Sequence, residues 1–440
     1  MNTQQQPSPR TPPSVQGKPR FQRAERLQVE MQFLALDQML PYDHPARAIW
    51  QFVDALELSA FYDLIQAREG HAGRDPIDPK ILLTLWLLAT TEGVGSARKL
   101  SDLCTRDVAY LWVCGGVGVN YHRPSDFRTA HVELLDQLLT DSVATLLHQR
   151  LVSLERVAQD GMRVRASASS SSFRRRKTLE KCRQEACEQI AALHEEQGAD
   201  PAGADRRSTA ARQRAARERA DRIDQALSEL AQLEEKKERR EKGSSEKART
   251  STTDPEARPM KMACGGFRPA YNVEFATTGE SRVIVGVDVV HSGSDGGQMS
   301  PMVDQVVNRY GVRPRQYLAD GGFSTIDDIQ SLEQAGTEVY APVKDPQKKR
   351  SVGVDPFARR KRDSDEVAAW RQRMGTDEAQ AIYRERASTA EFPNAVCRNR
   401  GLQQFLVRGL KKVKAVALWH ALAFNLTRTT ALRAVAAAPT

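Results

Sequence analysis

Two aspartates stand in apolar runs of the kind that form buried strands. Asp160 lies inside RVAQDGMRVRAS, and Asp320 ends the apolar part of YLADGGF. If these runs form adjacent parallel strands, the two carboxylates lie side by side, and they repel unless one is protonated or a cation lies between them. Carboxylate ligands with few histidines suit Mg²⁺ or Mn²⁺, and Mg²⁺ sites typically include substrate phosphates. The pair therefore predicts metal-dependent phosphodiester chemistry.

The elements around Asp320 alternate between strands and helices. RPAYNVEFATTGESRVIVGVDVV predicts a hairpin, and GQMSPMVDQVVNRYG predicts a helix that Gly311 ends. A strand in RQYLADGG, a helix in STIDDIQSLEQAG capped by Ser324 and a strand in EVYAPV follow. Residues 346–380 are predicted to be charged and irregular, before a helical C-terminus. This order predicts an α/β domain with helices covering a sheet and ligands gathered at the carboxyl ends of parallel strands.

Residues 30–150 have the pattern of an all-helical domain. In DHPARAIWQFVDAL, Asp43 is the expected N-cap, while DPKILLTLWLLATTEG opens on Asp-Pro and closes at Gly93. The helices on either side of the Gly-Val-Gly turn form either a helix-turn-helix that reads DNA or an ordinary packing unit. The domain is thus a candidate for binding DNA ends, and residues 1–29 are expected to be a disordered tail.

A charged helical segment interrupts the α/β pattern at about residues 173–250. Ile223, Leu227, Leu230 and Leu233 recur at helical spacing, and the segment breaks near GADPAGAD, which predicts a helical hairpin or short coiled coil. At its start lie four basic residues that either contact DNA phosphates or only keep the insertion soluble. They are Arg174, Arg175, Arg176 and Lys177.

Composition restricts the class of partner. The formal net charge of +9 in a chain of 440 residues favours a polyanion such as nucleic acid. The longest apolar runs are far shorter than the roughly 20 residues that a membrane span needs, so no membrane association is expected. The six cysteines are scattered without zinc-ligand spacing, which excludes a disulfide scaffold and favours a cytoplasmic location.

Several longer stretches carry a resemblance to one family. The chain is similar to the DDE transposases of bacterial insertion sequences, in the branch that combines a helical N-terminal domain with a ribonuclease-H-like catalytic domain. The resemblance covers roughly residues 30 to 430. The matching stretches are LDQMLPYDHPARAIW, LWLLATTEGVGSARKL, YHRPSDFR, AQDGMRVRAS, STTDPEARPMKM, GGFRPAYNVEFAT, GVDVVHSGSDGGQM, YLADGGF and RNRGLQQFLVRGLKKV. It implies a catalytic domain over residues 151–430, with a mixed sheet flanked by helices, and a short tail over 431–440.

The resemblance also implies a set of catalytic acids. Asp160 and Asp320 would be the first two, and a third would lie on a C-terminal helix. The family's tyrosine–arginine–glutamate signature is similar to YRERASTAEFPNAVCRNRG, which supplies Tyr383, Arg386 and Glu391. The three acids are expected to bind metal, with two Mg²⁺ ions when DNA is present and Mn²⁺ as a substitute.

The signature extends to a further arginine. Arg398 follows Glu391 by two helical turns, so the two side chains would share a helix face. The glutamate would then complete the metal site while Arg398, with Tyr383 and Arg386, would contact DNA. Glu385 lies nearer the tyrosine but outside the signature, and it is the competing candidate for the third acid.

Three nearby residues complicate this assignment. Pro393 would break a helix unless it occupies the first turn. Cys264 stands where relatives carry an acidic or polar residue. Asp295 is expected to cap the helix that begins near Gln298, with a contact to DNA or to the site as the alternative.

The function implied is that of a transposase that binds terminal inverted repeats of double-stranded DNA, cleaves there and joins the ends to target DNA. A homo-oligomer is expected because two ends must be held together. Two alternatives stay open. A structure-specific, metal-dependent nuclease would cleave without strand transfer, and a catalytically decayed relative would only bind DNA.

Overall fold

The structure, a computed structural model, describes residues 33–67, 75–199, 206–351 and 353–437. The tail expected over residues 1–29 lies outside these ranges, as does most of the GADPAGAD segment. Among the described helices, none combines the length and the apolar character that crossing a membrane requires.

The N-terminal region is helical, as predicted. Asp78 caps α3 by accepting a hydrogen bond from the Lys80 amide at 2.8 Å, and a proline follows it at the first helical position. The expected cap at Asp43 is wrong, because His44 is the N-cap of α1 and its Nδ1 accepts from the Ala46 amide. The helices are α1 (Pro45–Asp54), α2 (Ser59–Asp63), α3 (Pro79–Thr91), α4 (Ala97–Arg106), α5 (Val108–Cys114), α6 (His122–Ala130) and α7 (Val132–His148), after a 3₁₀ turn at Leu36–Met39.

A mixed sheet follows, and its central strand is β1 (Arg156–Arg165). Antiparallel β5 lies on one side of β1, and parallel β7 and then β8 lie on the other. The two halves of β5 pair with β4 and with β6. The predicted hairpin, strands and mixed α/β class are thus confirmed. The further strands are β2 (Phe173–Arg174), β3 (Thr250–Ser251), β4 (Arg258–Lys261), β5 (Phe267–Thr278), β6 (Ile284–Val290), β7 (Gln316–Leu318) and β8 (Glu338–Tyr340).

The inserted segment forms the predicted helical hairpin. Its helices α8 (Arg176–Ala199) and α9 (Arg206–Arg240) pack on each other, and the short β2–β3 pair closes the base. Leu179 and Leu230 are fully buried there. An ion pair between Arg258 and Glu229, both largely buried, joins the hairpin to the edge of the main sheet.

Helices cover the rest of the sheet. The predicted cap of α11 at Ser324 is wrong, because Thr325 is the cap and accepts from the Asp328 amide at 3.3 Å. The irregular segment expected over residues 346–380 is also wrong, since most of it is helical. The helices between β6 and the C-terminal helix are α10 (Met299–Tyr310), α11 (Ile326–Gln334), α12 (Pro346–Ser351), α13 (Asp365–Met374), α14 (Asp377–Arg386) and α15 (Phe392–Asn399).

The last helix, α16 (Leu410–Ala436), joins the two halves of the molecule. It packs on β6 and also on α3, α6 and α7, and Trp419 in its middle is buried. The helical N-terminal region and the sheet therefore share one hydrophobic core. The helix extends six residues into the segment expected to be a tail from residue 431.

Candidate active site and DNA interface

The strand ladder brings Asp160 and Asp320 together. β1 and β7 are parallel neighbours, and their pairs run from Arg156 with Gln316 to Ala158 with Leu318. Continuing this register by two residues places Asp320 opposite Asp160. The prediction that Asp160 lies in a strand, beside Asp320 at the end of a parallel neighbour, is therefore confirmed.

Asp160 is a largely buried carboxylate between two polar partners. Its side chain is 17% exposed, and its Oδ2 accepts a hydrogen bond from Asn394 Nδ2 at 2.8 Å. Arg386 Nη1 lies 3.9 Å from the other oxygen. Burial raises the pKa of Asp160 to about 6 and Asp320 adds repulsion, while Arg386 and Asn394 oppose the rise. A further cation nearby would therefore stabilise the ionised form of Asp160.

A third carboxylate, Asp295, faces the same space. Asn272, which is buried, donates from Nδ2 to Asp295 Oδ1 at 2.7 Å. A Cβ added to Gly322 would lie 3.0 Å from Asp320 Oδ1 and 3.1 Å from Asp295 Oδ2, so both carboxylates border one backbone position. Burial raises the pKa of Asp295, and Asp320 contributes repulsion. Glycine at 322 thus leaves room between two acids.

The expected capping role of Asp295 is wrong. Helix α10 has Gln298 as its N-cap, without a side-chain hydrogen bond, and Asp295 is turned toward the sheet instead. A sequence signal for this position did exist. Asp295 is followed by two glycines, as is Asp320, and in both places the small residues let a carboxylate approach backbone closely.

Glu391 is linked to this site by an ion pair with Arg386. Its Oε1 lies 2.8 Å from Arg386 Nη2, and its side chain is 56% exposed. Arg386 therefore lies between Asp160 and Glu391. Residues Ala387–Glu391 form a π-helical turn, and Pro393 follows in the first turn of α15, the position where proline is tolerated. The helix continues through the signature without a break.

The competing glutamate lies elsewhere. Glu385 forms an ion pair with Arg156, at the start of β1. Arg156 precedes Asp160 by four residues, which is about 13 Å along a strand. Glu385 is thus held at the start of β1, away from Asp160 in the middle of the strand.

Behind the aspartates lies a fourth, fully buried acid, Glu274. Gln159 Nε2 and Asn272 Nδ2 donate to its two oxygens at 2.8 and 3.0 Å. Burial raises the pKa of Glu274 to about 8, and Asp295 and Asp288 add repulsion. At neutral pH this residue is therefore mostly protonated, and it supports Asn272 without adding another charge.

The donor set fits a hard divalent cation. Among the described residues, no three acidic, histidine or cysteine side chains already converge as a metal site. Asp160, Asp320 and Asp295 nevertheless supply hard oxygens at one place, and repulsion between them favours a cation. The Oδ1 atom of Asn394, which is buried, has no hydrogen-bond partner in the described part of the chain and adds a further oxygen.

A basic cleft of about 910 Å³ opens in front of Asp320 and Asp295. Its lining includes the predicted DNA contact Arg398 and the exposed residue Cys264. The other basic residues of its wall are Arg163, Arg165, Lys261 and Arg268. A polyanion lying in this cleft would pass beside the carboxylates.

The other predicted DNA contacts fall in two places. Tyr383 and Arg386 belong to the carboxylate site, with the guanidinium 6.0 Å from the centre of the tyrosine ring. The four basic residues 174–177 lie at the base of the inserted hairpin instead. There Arg176 pairs with Glu234, and Arg174 donates to the Ser171 carbonyl.

Comparison with known families identifies the chain. The model described as transposase DDE domain matches residues 239–426, and the model described as transposase domain (DUF772) matches residues 34–130. The chain belongs to the DDE transposases of insertion sequences. No curated protein and no solved structure matches it. The DDE match contains Asp320 and Glu391 but begins after Asp160, whose place beside Asp320 follows from the strand register.

The raised pKa of Asp160 predicts a pH-dependent stability in the transposase without divalent metal. The folded protein holds this proton more tightly than the unfolded chain, so stability should fall as pH rises from 3.8 to about 6. A shift of this size corresponds to about 3 kcal/mol. Thermal unfolding across this pH window should show a steeper loss in the wild type than in Asp160→Asn. Parallel pH profiles would show that burial does not act on this carboxylate.

Proposed function

We propose that this transposase binds the terminal inverted repeats of its own element, cleaves phosphodiester bonds there and joins the freed ends to target DNA. The supporting observation is the pair of aspartates on adjacent parallel strands beside a basic cleft. The strand order, with three antiparallel strands followed by two parallel ones, is consistent with a ribonuclease-H-like catalytic domain.

We assign Asp160, Asp320 and Glu391 as the catalytic acids and metal ligands, and Asp295 as an additional carboxylate of the site. Divalent ions bound there, Mg²⁺ or Mn²⁺, would activate the attacking hydroxyl and stabilise the leaving oxygen. The protein's own part is to hold the scissile phosphate in line for attack by water, and later by the freed 3′-hydroxyl. Since the attack is direct, no serine or tyrosine nucleophile is required.

Arg386 would have one role before metal and DNA bind and another after they bind. Without DNA it lies between Asp160 and Glu391 and partly offsets their charge. With a divalent ion held by these acids, the Arg386 guanidinium would be free to donate two hydrogen bonds to a phosphate. Glu391 would then be free to turn toward the aspartates.

The experiment that tests this function uses the DNA that flanks the gene. Inverted repeats that bracket the frame supply the substrate, and purified protein with Mg²⁺ should join pre-cleaved repeat ends to a target plasmid. Cleavage of the repeats without joining would favour the nuclease alternative. Binding without either reaction, in Mg²⁺ and in Mn²⁺, would favour the decayed relative.

The basic residues 174–177 give a separate prediction. Each phosphate neutralised on duplex DNA contributes about −0.9 to the slope of log affinity against log salt. The spacing of the four residues cannot present all of them on one helical face, so at most two or three should contact phosphates at once, and Arg176 is already paired with Glu234. Replacing all four with Ala should flatten the slope by roughly two units and weaken specific and random DNA about equally.

The control for this variant is a change at two exposed basic residues outside the hairpin, Lys361→Ala with Arg362→Ala. A quadruple variant with the slope of this control would mean that residues 174–177 only keep the insertion soluble. The DNA path would then have to avoid the base of the hairpin.

A further inference from the structure

A second basic cavity lies between the two halves of the molecule. It has a volume of about 370 Å³ and is walled by the turn Gly93–Gly95 after α3 and by the loop from Arg400 to Leu406. The two walls touch closely, since a Cβ on Gly401 would lie 3.3 Å from the Gly93 carbonyl oxygen. Both glycines have positive φ, so the contact depends on glycine at each position.

Arg128 is the most deeply buried cation of this cavity. Its side chain donates to the Gly95 carbonyl and its guanidinium lies 4.8 Å from the centre of the Trp86 ring. The residue is 9% exposed, and its Nε has no hydrogen-bond partner among the described residues. In the described part of the chain, no carboxylate forms an ion pair with it. The tryptophan ring offsets only part of the cost of burying such a charge.

Two further polar groups line the same cavity. Arg400 donates to the Ala423 carbonyl at 3.3 Å and to the Thr427 hydroxyl at 3.0 Å, and both of these partners are neutral. His420 is 6% exposed, and its Nδ1 has no partner within the described chain. Burial, with Arg128 and Arg400 nearby, lowers the pKa of His420 to about 3. The imidazole is therefore neutral, and one ring nitrogen can donate to an anion.

The composition of the wall favours an anion as the ligand. Among the residues that line it there are two arginines, one histidine and no aspartate or glutamate. Removing a guanidinium from water without a counter-charge is costly, and an anion that enters the cavity would restore the missing charge. Planar guanidinium groups bind phosphate with two hydrogen bonds each, which makes phosphate the best-fitting class.

The cavity adjoins the basic cleft at the carboxylates. Leu402 and Gln403 line both spaces. The backbone of this loop is fixed to β1, because Arg165 donates to the Gln403 carbonyl and its own carbonyl accepts from Phe405. A DNA strand that leaves the cleft past Leu402 therefore reaches the mouth of the cavity.

We propose that the cavity formed by Arg128, Arg400 and His420 binds one phosphate group of the DNA backbone at the seam between the helical region and the catalytic region. This inference rests on the proposed function, since it places the phosphate on the DNA held for cleavage. Binding there would use residues of both regions, so it would fix the helical region on DNA whose scissile bond lies at the carboxylates.

The test uses Arg400→Gln in the full chain, with Arg400→Lys as the charge-retaining variant and Arg433→Gln as the control. Arg433 lies on α16, as does His420, but it does not line the cavity. With a repeat-end duplex, the salt slope of Arg400→Gln should fall by about 0.9. Arg400→Lys and Arg433→Gln should keep the wild-type slope. An unchanged slope in Arg400→Gln would overturn the proposal.

Inorganic phosphate distinguishes the source of the anion. At matched ionic strength, phosphate in place of chloride should raise the melting temperature of the wild type and raise that of Arg400→Gln less. If phosphate stabilises the wild type but the DNA slope of Arg400→Gln is unchanged, the cavity binds free phosphate and the DNA assignment is wrong. If neither changes, the arginines are structural and the proposal fails.

Arg128→Gln provides a second variant, and its melting temperature without phosphate shows whether it has folded. If it unfolds, Arg400→Gln alone decides. Failure of the proposed function is separate from these outcomes, because it is detected as absent strand transfer in the wild type, whatever the salt slopes.

Discussion

Asp160→Asn and Asp320→Asn should each abolish DNA cleavage while leaving binding to the terminal repeats nearly unchanged. Each substitution removes one negative oxygen from the pair that adjacent strands hold together, and it leaves the basic cleft intact. Loss of one preorganised electrostatic group commonly costs roughly a hundred- to a thousand-fold in rate. Single-turnover cleavage of a labelled repeat end, beside a binding titration in Ca²⁺, measures the two effects separately.

The matched control for this pair is Asp304→Asn. Asp304 lies on α10, and it faces Arg313 at 4.0 Å rather than the carboxylate site. It should cleave at the wild-type rate. Wild-type cleavage in Asp160→Asn or in Asp320→Asn would mean that the strand register does not define the catalytic centre, and the proposed mechanism would have to be abandoned.

Local chemistry explains why so much of the fold was predictable from sequence. The β5–β6 hairpin and α10 with its glycine C-cap are specified by residues close in the chain. The juxtaposition of Asp160 with Asp320 is long-range. It could nevertheless be predicted, because parallel pairing of two adjacent buried strands brings the aspartate that follows one strand beside the aspartate inside the other.

The prediction of an irregular segment failed because the helix-start signals lie among many charged residues. Residues 346–380 are rich in charge, which suggested an irregular segment. Yet Ser364 and Thr376 each precede two acidic residues and cap α13 and α14 through their hydroxyls. These are ordinary helix starts, and the charges lie mostly on the solvent side. A buried ion pair between Arg371 and Asp363 stabilises the start of α13.

The full set of acids could not be derived from sequence because it depends on partners far along the chain. Asp295 is held by Asn272 on β5, and that contact exists only once the loop after β6 folds back over the sheet. Glu391 is held by Arg386 across a π-helical turn, a local geometry that helical spacing alone does not reveal. The position of each acid is set by packing rather than by its neighbours in sequence.

Glu391→Gln should lower cleavage as severely as the aspartate substitutions, and Glu385→Gln should leave it near the wild-type rate. Glu391 shares Arg386 with Asp160, so it lies within one side chain of the carboxylate site. Glu385 instead pairs with Arg156 at the start of β1, four residues before Asp160, and its exposed ion pair contributes at most about 1 kcal/mol to stability.

Metal binding provides an independent measurement of the same difference. In the protein without DNA, Mn²⁺ binding can be followed by electron paramagnetic resonance. Mn²⁺ should bind Glu391→Gln about ten- to a hundred-fold more weakly than Glu385→Gln, because loss of a group that supports a metal site typically weakens metal affinity by this factor. Each variant loses one negative charge, Glu385→Gln on α14 and Glu391→Gln in the π-helical turn that follows α14. Because only the position of the charge differs, equal loss in both would indicate a general electrostatic effect. Loss in Glu385→Gln alone would reverse the assignment and make Glu385 the third acid.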